Sequence, residues 1–390
     1  MSKPLVLTCD IGTQSARALL VDPDGRIVDV VQSKYAEPYF SKEPGWAEQK
    51  PNFYFDRLCE CCRELCARSN ALLPDVIAMT ITVIRDTVVC LDANNEPLRD
   101  IILWLDKRTV DPNGAMPAKN MMLFKVAGME PTAKVVYAAS VGNWIMRHEP
   151  EIWARTAKYV MLPTYLNYKL TGNLIDSASN QIGHIPFDYK NRRWMKPGSL
   201  TRCFCDVPNE KLCDLVPSGT VIGTVTDEVC ALTGIPAGLP LISTGSDKGC
   251  ETLGLAVVDS DKASISLGTT ATIQFSTTEY VEPQQFLPAY PGVLNDHYNP
   301  EIEIYRGLWL LSWFVKEFGT ADAIDAKEKG MAPEALLDER IRDLPAGSDG
   351  LLLQPYWTAG ILHPDSLGAV IGFSDYHTRY HFYRAIIEGL

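Results

Sequence analysis

Asp247 stands where an apolar stretch, PLISTG, gives way to SDKGCETLG. Ligands of open α/β sheets gather at the carboxyl ends of strands, so a carboxylate there can take a proton from a bound hydroxyl. The same spacing suits a plain helix N-cap at Ser246 or Asp247, and both readings stand on it. A second set of candidates lies in CDIGTQSAR. Asp10 offers a carboxylate for a magnesium ion, which takes only one or two from a protein. Gly12 lets the backbone come close to a phosphate. Thr13, Gln14 and Ser15 bring donors, and Arg17 brings a cation. Phosphate donors, a metal-holding carboxylate and a base are the three parts that phosphoryl transfer to an alcohol requires.

Arg85 and Asp86 interrupt an otherwise apolar run, TITVIRDTVVCLD. Charges in such a place are costly unless paired. They either satisfy each other or clamp a polyol, Asp accepting from hydroxyls and Arg donating to them. Lys248 either pairs with Asp247 or faces a substrate. Trp104 and Trp46 are candidate sugar platforms, with core or rim packing as the other reading.

These residues need elements to hold them. Residues 4–35 read as three strands, with a Gly-Thr turn after the first and a DPDG hairpin signal after the second. FYFDRLCECCRELCARS reads as one helix within 51–69, and 75–92 as two buried strands parted by IRDT. DIILWLDKR reads as a strand ending in charges. SVGNWIMRHEPEIWARTAKYVMLPTYLNYKLTG reads as two helices. KASISLGTTATIQFST reads as strand, Gly-Thr turn, strand, so Gly268-Thr269 echoes Gly12-Thr13. Two such hairpins facing one cleft would grip a polyphosphate from both sides; a plain pair of hairpins is the other reading.

The 390 residues suit two domains. Lys plus Arg total 36 against 48 Asp plus Glu, a net charge of −12, which excludes a nucleic-acid footprint. The first residues lack a signal-peptide pattern, and no apolar run reaches the ~18–20 residues of a membrane span, so a cytoplasmic protein is expected. The 11 cysteines form no framework. Cys59, Cys62 and Cys66 share one helix face but lack the second ligand pair of a structural zinc site, which favours core packing.

Taken in order, the motifs resemble the FGGY family of carbohydrate kinases, which includes glycerol kinase, xylulokinase and ribulokinase. DIGTQSARALLVD resembles the family's first phosphate loop and SISLGTTATI, with Gly268, Thr269 and Thr270, its second. GWAEQKPNFYF resembles the segment that follows the first loop, with Trp46. TVIRDTVVCLD resembles the glycerol kinase stretch in which an Arg-Glu pair binds the polyol, here Arg85-Asp86. ILWLDKR resembles the Trp-x-Asp-x-Arg stretch, with Trp104 and Asp106. WIMRHEPEIW and MLPTYLNYKLTG are closer to the ketose kinases. STGSDKGCETLG resembles the segment with the catalytic aspartate.

The resemblance implies an α/β chain of the actin-like ATPase, ribonuclease H-like fold, two domains around a cleft. Residues 1–240 would hold the acceptor, the magnesium and the first phosphate loop, and 241–390 would hold ATP. It implies Asp247 as base and Asp10 for the metal. Gly12, Thr13, Gln14, Arg17, Gly268, Thr269 and Thr270 would hold the nucleotide. Arg85, Asp86, Trp104, Asp247 and Lys248 would hold a sugar or polyol.

Departures are visible. Gln14, Lys248 and Glu251 differ from the commonest residues of the family, and Asn180 stands where many ketose kinases have Asp. Gly360-Ile361-Leu362-His363-Pro364 replaces the usual Gly-Glu-Arg-Thr-Pro. Ending at Leu390, the chain would carry an incomplete second domain, without the glycine-rich segment that holds adenine. An inactive or non-catalytic sugar- or nucleotide-binding protein of this fold is therefore the alternative. A homodimer through a sheet edge or helix face fits the same picture.

Overall fold

Alternating side chains build the centre of the molecule. The computed structural model describes residues 3–284, 286–358 and 366–390. The Gly360-Ile361-Leu362-His363-Pro364 stretch lies outside the described residues. Two compact units are present. The first comprises Met1–Val258, Ser276–Glu282 and Phe286–Asn299, and the second Asp259–Phe275, Pro283–Gln285 and Pro300–Leu390.

The first unit is organised by a six-stranded mixed sheet. Strand β1 (Leu5–Ile11) buries every second residue, and β2 (Ser15–Val21) does the same in the opposite phase. Together with β3 (Ile27–Lys34) they form an antiparallel meander. On its other side β1 pairs in parallel with Val76–Val83, which pairs in parallel with Pro240–Ile242. Val221–Thr224 closes that edge antiparallel. Three carboxyl ends therefore lie side by side, followed by the turn at Gly12, by Arg85-Asp86 and by Ser246-Asp247.

Helix α1 (Phe53–Arg68) packs across β2 and β3. It buries Tyr54, Leu58, Cys62 and Leu65, the i, i+4, i+8, i+11 stripe of an amphipathic helix. Fully burying one such large side chain contributes about 1.5–3 kcal/mol. Cys59, Cys62 and Cys66 lie in this core, Cys62 with its Sγ 3.5 Å from that of Cys9. Burial pushes the Cys59 and Cys66 thiols up to about 12.

The two strands read within 75–92 are Val76–Val83 and Val88–Leu91. They enter different sheets, because the chain turns sharply at Asp86, whose φ is +49°. Val88–Leu91 joins a four-stranded sheet with Glu48–Gln49, Ile101–Ile102 and Lys158–Met161. Lys158–Met161 lies inside the segment read as two helices. Its flanks are helical, and the KYVM strand is too short to show a period of its own. The strand in DIILWLDKR is only Ile101–Ile102, since Asp106 and Arg108 turn back to each other, Nε to Oδ1 at 2.8 Å.

In the second unit Ala263–Leu267, Ala271–Phe275 and Glu301–Ile304 form an antiparallel sheet. A separate core gathers Leu310, Phe314, Leu337, Tyr383 and Ile386. No helix among the described residues is long and apolar enough to cross a membrane.

Candidate functional site

The turn after β1 is closed by Gly12 N donating to Ser15 O at 3.0 Å. Register sets Asp10 opposite Arg17 on β2, and Arg17 Nη1 donates to Asp10 Oδ2 at 2.6 Å. The pair leaves the Asp10 side chain 32% exposed. Thr13 is tied to Trp104, whose Nε1 donates to its Oγ1 at 3.0 Å. Gln14 is exposed, and its carbonyl accepts from Tyr35 N at 2.9 Å. Trp46 has a packing partner of another kind. The Arg108 guanidinium lies 3.8 Å from its ring centre, and Trp144 meets it edge to face.

Thr82 faces Asp10 across the parallel pair, and its Oγ1 donates to Gly245 O at 3.2 Å. That carbonyl belongs to the turn leading into the helix Asp247–Gly254. Ser246 is the N-cap, accepting from Gly249 N at 3.2 Å, so Asp247 is the first helical residue rather than the cap. Burial pushes the Asp247 carboxyl up from the usual range, against the pull of Arg85 and Lys248. Lys248 Nζ also reaches Glu251 at 3.0 Å. A cavity of about 490 Å³ borders this helix through Cys250, Leu253 and Gly254, and Asp247 is not among its walls.

Arg85 and Asp86 take different partners. The Arg85 guanidinium lies 5.4 Å from the Tyr290 ring centre and acts on Asp247. Asp86 meets His184. His184 N donates to Oδ1, and Nδ1 lies 2.9 Å from Oδ2. Burial alone would raise Asp86, but the charge and hydrogen bonds of His184 hold it below the usual carboxylate range. Burial likewise works against the imidazolium, and Asp86 outweighs it, so His184 sits above its ordinary value.

The turn at Gly268 lies in the second unit and is shorter by one residue. Gly268 N donates to Thr270 O at 3.1 Å, and Gly307 N and Leu308 N donate to Thr269 O and Gly268 O. No group of three or more His, Cys, Asp or Glu that could hold a metal ion occurs among the described residues. A magnesium ion arriving with phosphates needs less than that, and the part-exposed Asp10 beside the Gly12 turn fits it.

Sequence reasoning missed His184 and Asp176. Asp176 is fully buried and accepts from Thr164 Oγ1, Asn180 Nδ2 and Ser177 N, each at 2.8 Å. Its signal was faint, a lone acid in a polar loop, DSASNQ.

Residues 5–254 match the model of the FGGY family of carbohydrate kinases, N-terminal domain. An uncharacterized sugar kinase, YgcE, of Escherichia coli is 26% identical over 391 residues, which span all of this chain and 72% of the relative. The xylulose kinase of Bacillus subtilis is 25% identical over 99% of this chain and 75% of its own length. The crystal structure of gluconate kinase from Lactobacillus acidophilus superposes with a TM-score of 0.80 at 22% identity, covering all of this chain and 76% of that one.

Proposed function

The chain belongs to the FGGY family of carbohydrate kinases, and from that footing we propose that Asp247 is the base that activates the acceptor hydroxyl. The protein is a carbohydrate kinase of the actin-like ATPase fold, with ATP as phosphoryl donor and a small carbohydrate as acceptor. One observation carries the assignment. Asp10, in the last residues of its strand, and Arg85-Asp86 and Asp247, just beyond theirs, stand at the carboxyl ends of three adjacent parallel strands, and burial raises Asp247. A carboxylate with a raised pKa is a better proton acceptor than an exposed one.

In this reading Asp247 takes the proton as the acceptor oxygen attacks the γ-phosphorus. Arg85 and Asp86 hold hydroxyls of the acceptor, Trp104 walls it, and Lys248 adds a donor. The Gly12-Thr13 turn, with Gln14 and Arg17, holds phosphate oxygens; the turn of Gly268, Thr269 and Thr270 offers phosphate donors of its own. Asp10 would hold magnesium, directly or through water. When bound, the ion neutralises charge on the phosphates. The acceptors of the named relatives, a ketose and a sugar acid, mark the classes to screen first.

The test is an Asp247→Asn protein assayed for acceptor-dependent ADP release with D-xylulose, D-gluconate and glycerol. General-base loss lowers kcat about 10²–10⁴-fold. A kcat within threefold of the parent overturns the assignment.

A further inference from the structure

Asp86 is held in an uncommon way. Its φ of +49° is left-handed, which costs a non-glycine residue about 1–3 kcal/mol unless its surroundings fix it. Its N–H donates to Ile182 O at 3.0 Å. His184 engages both carboxylate oxygens, its N–H on Oδ1 and Nδ1 on Oδ2, each at 2.9 Å. Between the two anchors lies Gly183, with φ +139°, where a Cβ would fall 2.1 Å from Asp86 Oδ1. The Tyr189 hydroxyl clamps that glycine, donating to its carbonyl at 3.0 Å and accepting from its N–H at 3.2 Å. The Tyr189 ring meets Tyr290 edge to face, and Arg85 lies against the Tyr290 ring. The ion pair is still open, with side chains 25% and 31% exposed.

A carboxylate offers about four lone-pair sites. His184 takes one on each oxygen, so one on each remains. Two acceptors in one plane suit two hydroxyls on neighbouring carbons.

We propose that His184 is a positioning residue of the acceptor site, fixing the Asp86 carboxylate so that its free lone pairs receive a vicinal diol. This rests on the reading of Asp86 as part of the acceptor clamp. His184 touches the acceptor only through Asp86, so its loss weakens binding and spares the chemical step. That pattern separates it from a residue that merely supports the fold.

The experiment compares His184→Leu, His184→Asn and Asp86→Asn in the full chain, using whichever of glycerol, D-xylulose and D-gluconate the parent turns over best. The Asn amide can replace Nδ1 as donor. His184→Leu is expected to raise the acceptor KM at least tenfold with kcat within threefold, and His184→Asn to restore KM to within threefold of the parent. Combining His184→Leu with Asp86→Asn should add nothing to Asp86→Asn alone. Should His184→Leu not fold, His184→Gln, whose amide reaches past the Nδ1 position, takes its place with the same expected rise. An unchanged KM in His184→Leu beside a raised KM in Asp86→Asn overturns the proposal and leaves the clamp standing. His184→Asn matching His184→Leu also overturns it. An unchanged KM in Asp86→Asn overturns the clamp itself.

Discussion

Asp247 sits between opposed influences. Burial raises its pKa, and the cation of Arg85 is the largest force lowering it. A base must be deprotonated to act, so kcat falls as pH drops through this raised value. Removing Arg85 takes away the lowering influence. An Arg85→Ala protein is therefore expected to show the acid limb of its kcat–pH profile moved to higher pH, measured at saturating acceptor. A limb that stays in place, or moves down, contradicts the coupling. At this scale the sequence was readable where chemistry repeats locally. The Gly-Thr turn at Gly12 announces itself by strand, glycine and donors in a row. His184 could not be found that way. Its partner lies 98 residues earlier, and nothing in GHIPF sets the histidine apart. Trp46 left two readings open in the sequence, sugar platform or core and rim packing, and its contacts with Arg108 and Trp144 are of the packing kind.

The segment Ile175–Asn180 acts as a brace beneath the Asp247 helix. Ser177 Oγ donates to Thr244 O, and Ser246 N, on the capping residue, donates to Ser179 O at 3.2 Å. Asp176 holds the brace together, and burial pushes its carboxyl up to about 6 despite the donors around it. The sign follows from linkage. With a folded pKa above the unfolded value of 3.8, the native state binds the proton more tightly. Stability is therefore lost as pH rises from about 4 to 6, by roughly 3 kcal/mol at full ionisation. Urea unfolding of Asp176→Asn between pH 4 and 7 should show this slope removed, and an unaltered slope argues against it. Element types were legible where the period was long. Helix α1 carries its stripe over 16 residues. The Lys158–Met161 strand has four and no alternation. That the strands on either side of Arg85-Asp86 join different sheets depends on a backbone angle, which composition does not encode.

The whole chain carries a net charge of −12, and its two units have separate cores. The order of motifs along the sequence conveyed the fold class through the family that order resembles. How far each strand must travel to its partner was not conveyed. Val76–Val83 meets β1 early, but its other edge waits for Pro240–Ile242, which brings Thr82 and Gly245 together across 163 residues. Closing so long a loop costs entropy before any contact repays it. On dilution from urea, far-ultraviolet ellipticity should recover ahead of acceptor-dependent ADP release; equal rates would mean that the Asp247 turn docks with the helices. On the ribosome the same geometry leaves VIAMTITV with an unpaired apolar edge until the Pro240–Ile242 strand has emerged. A nascent chain in that state is a template for neighbouring chains, so the yield of native kinase depends on how well that edge is sheltered while the chain is being made.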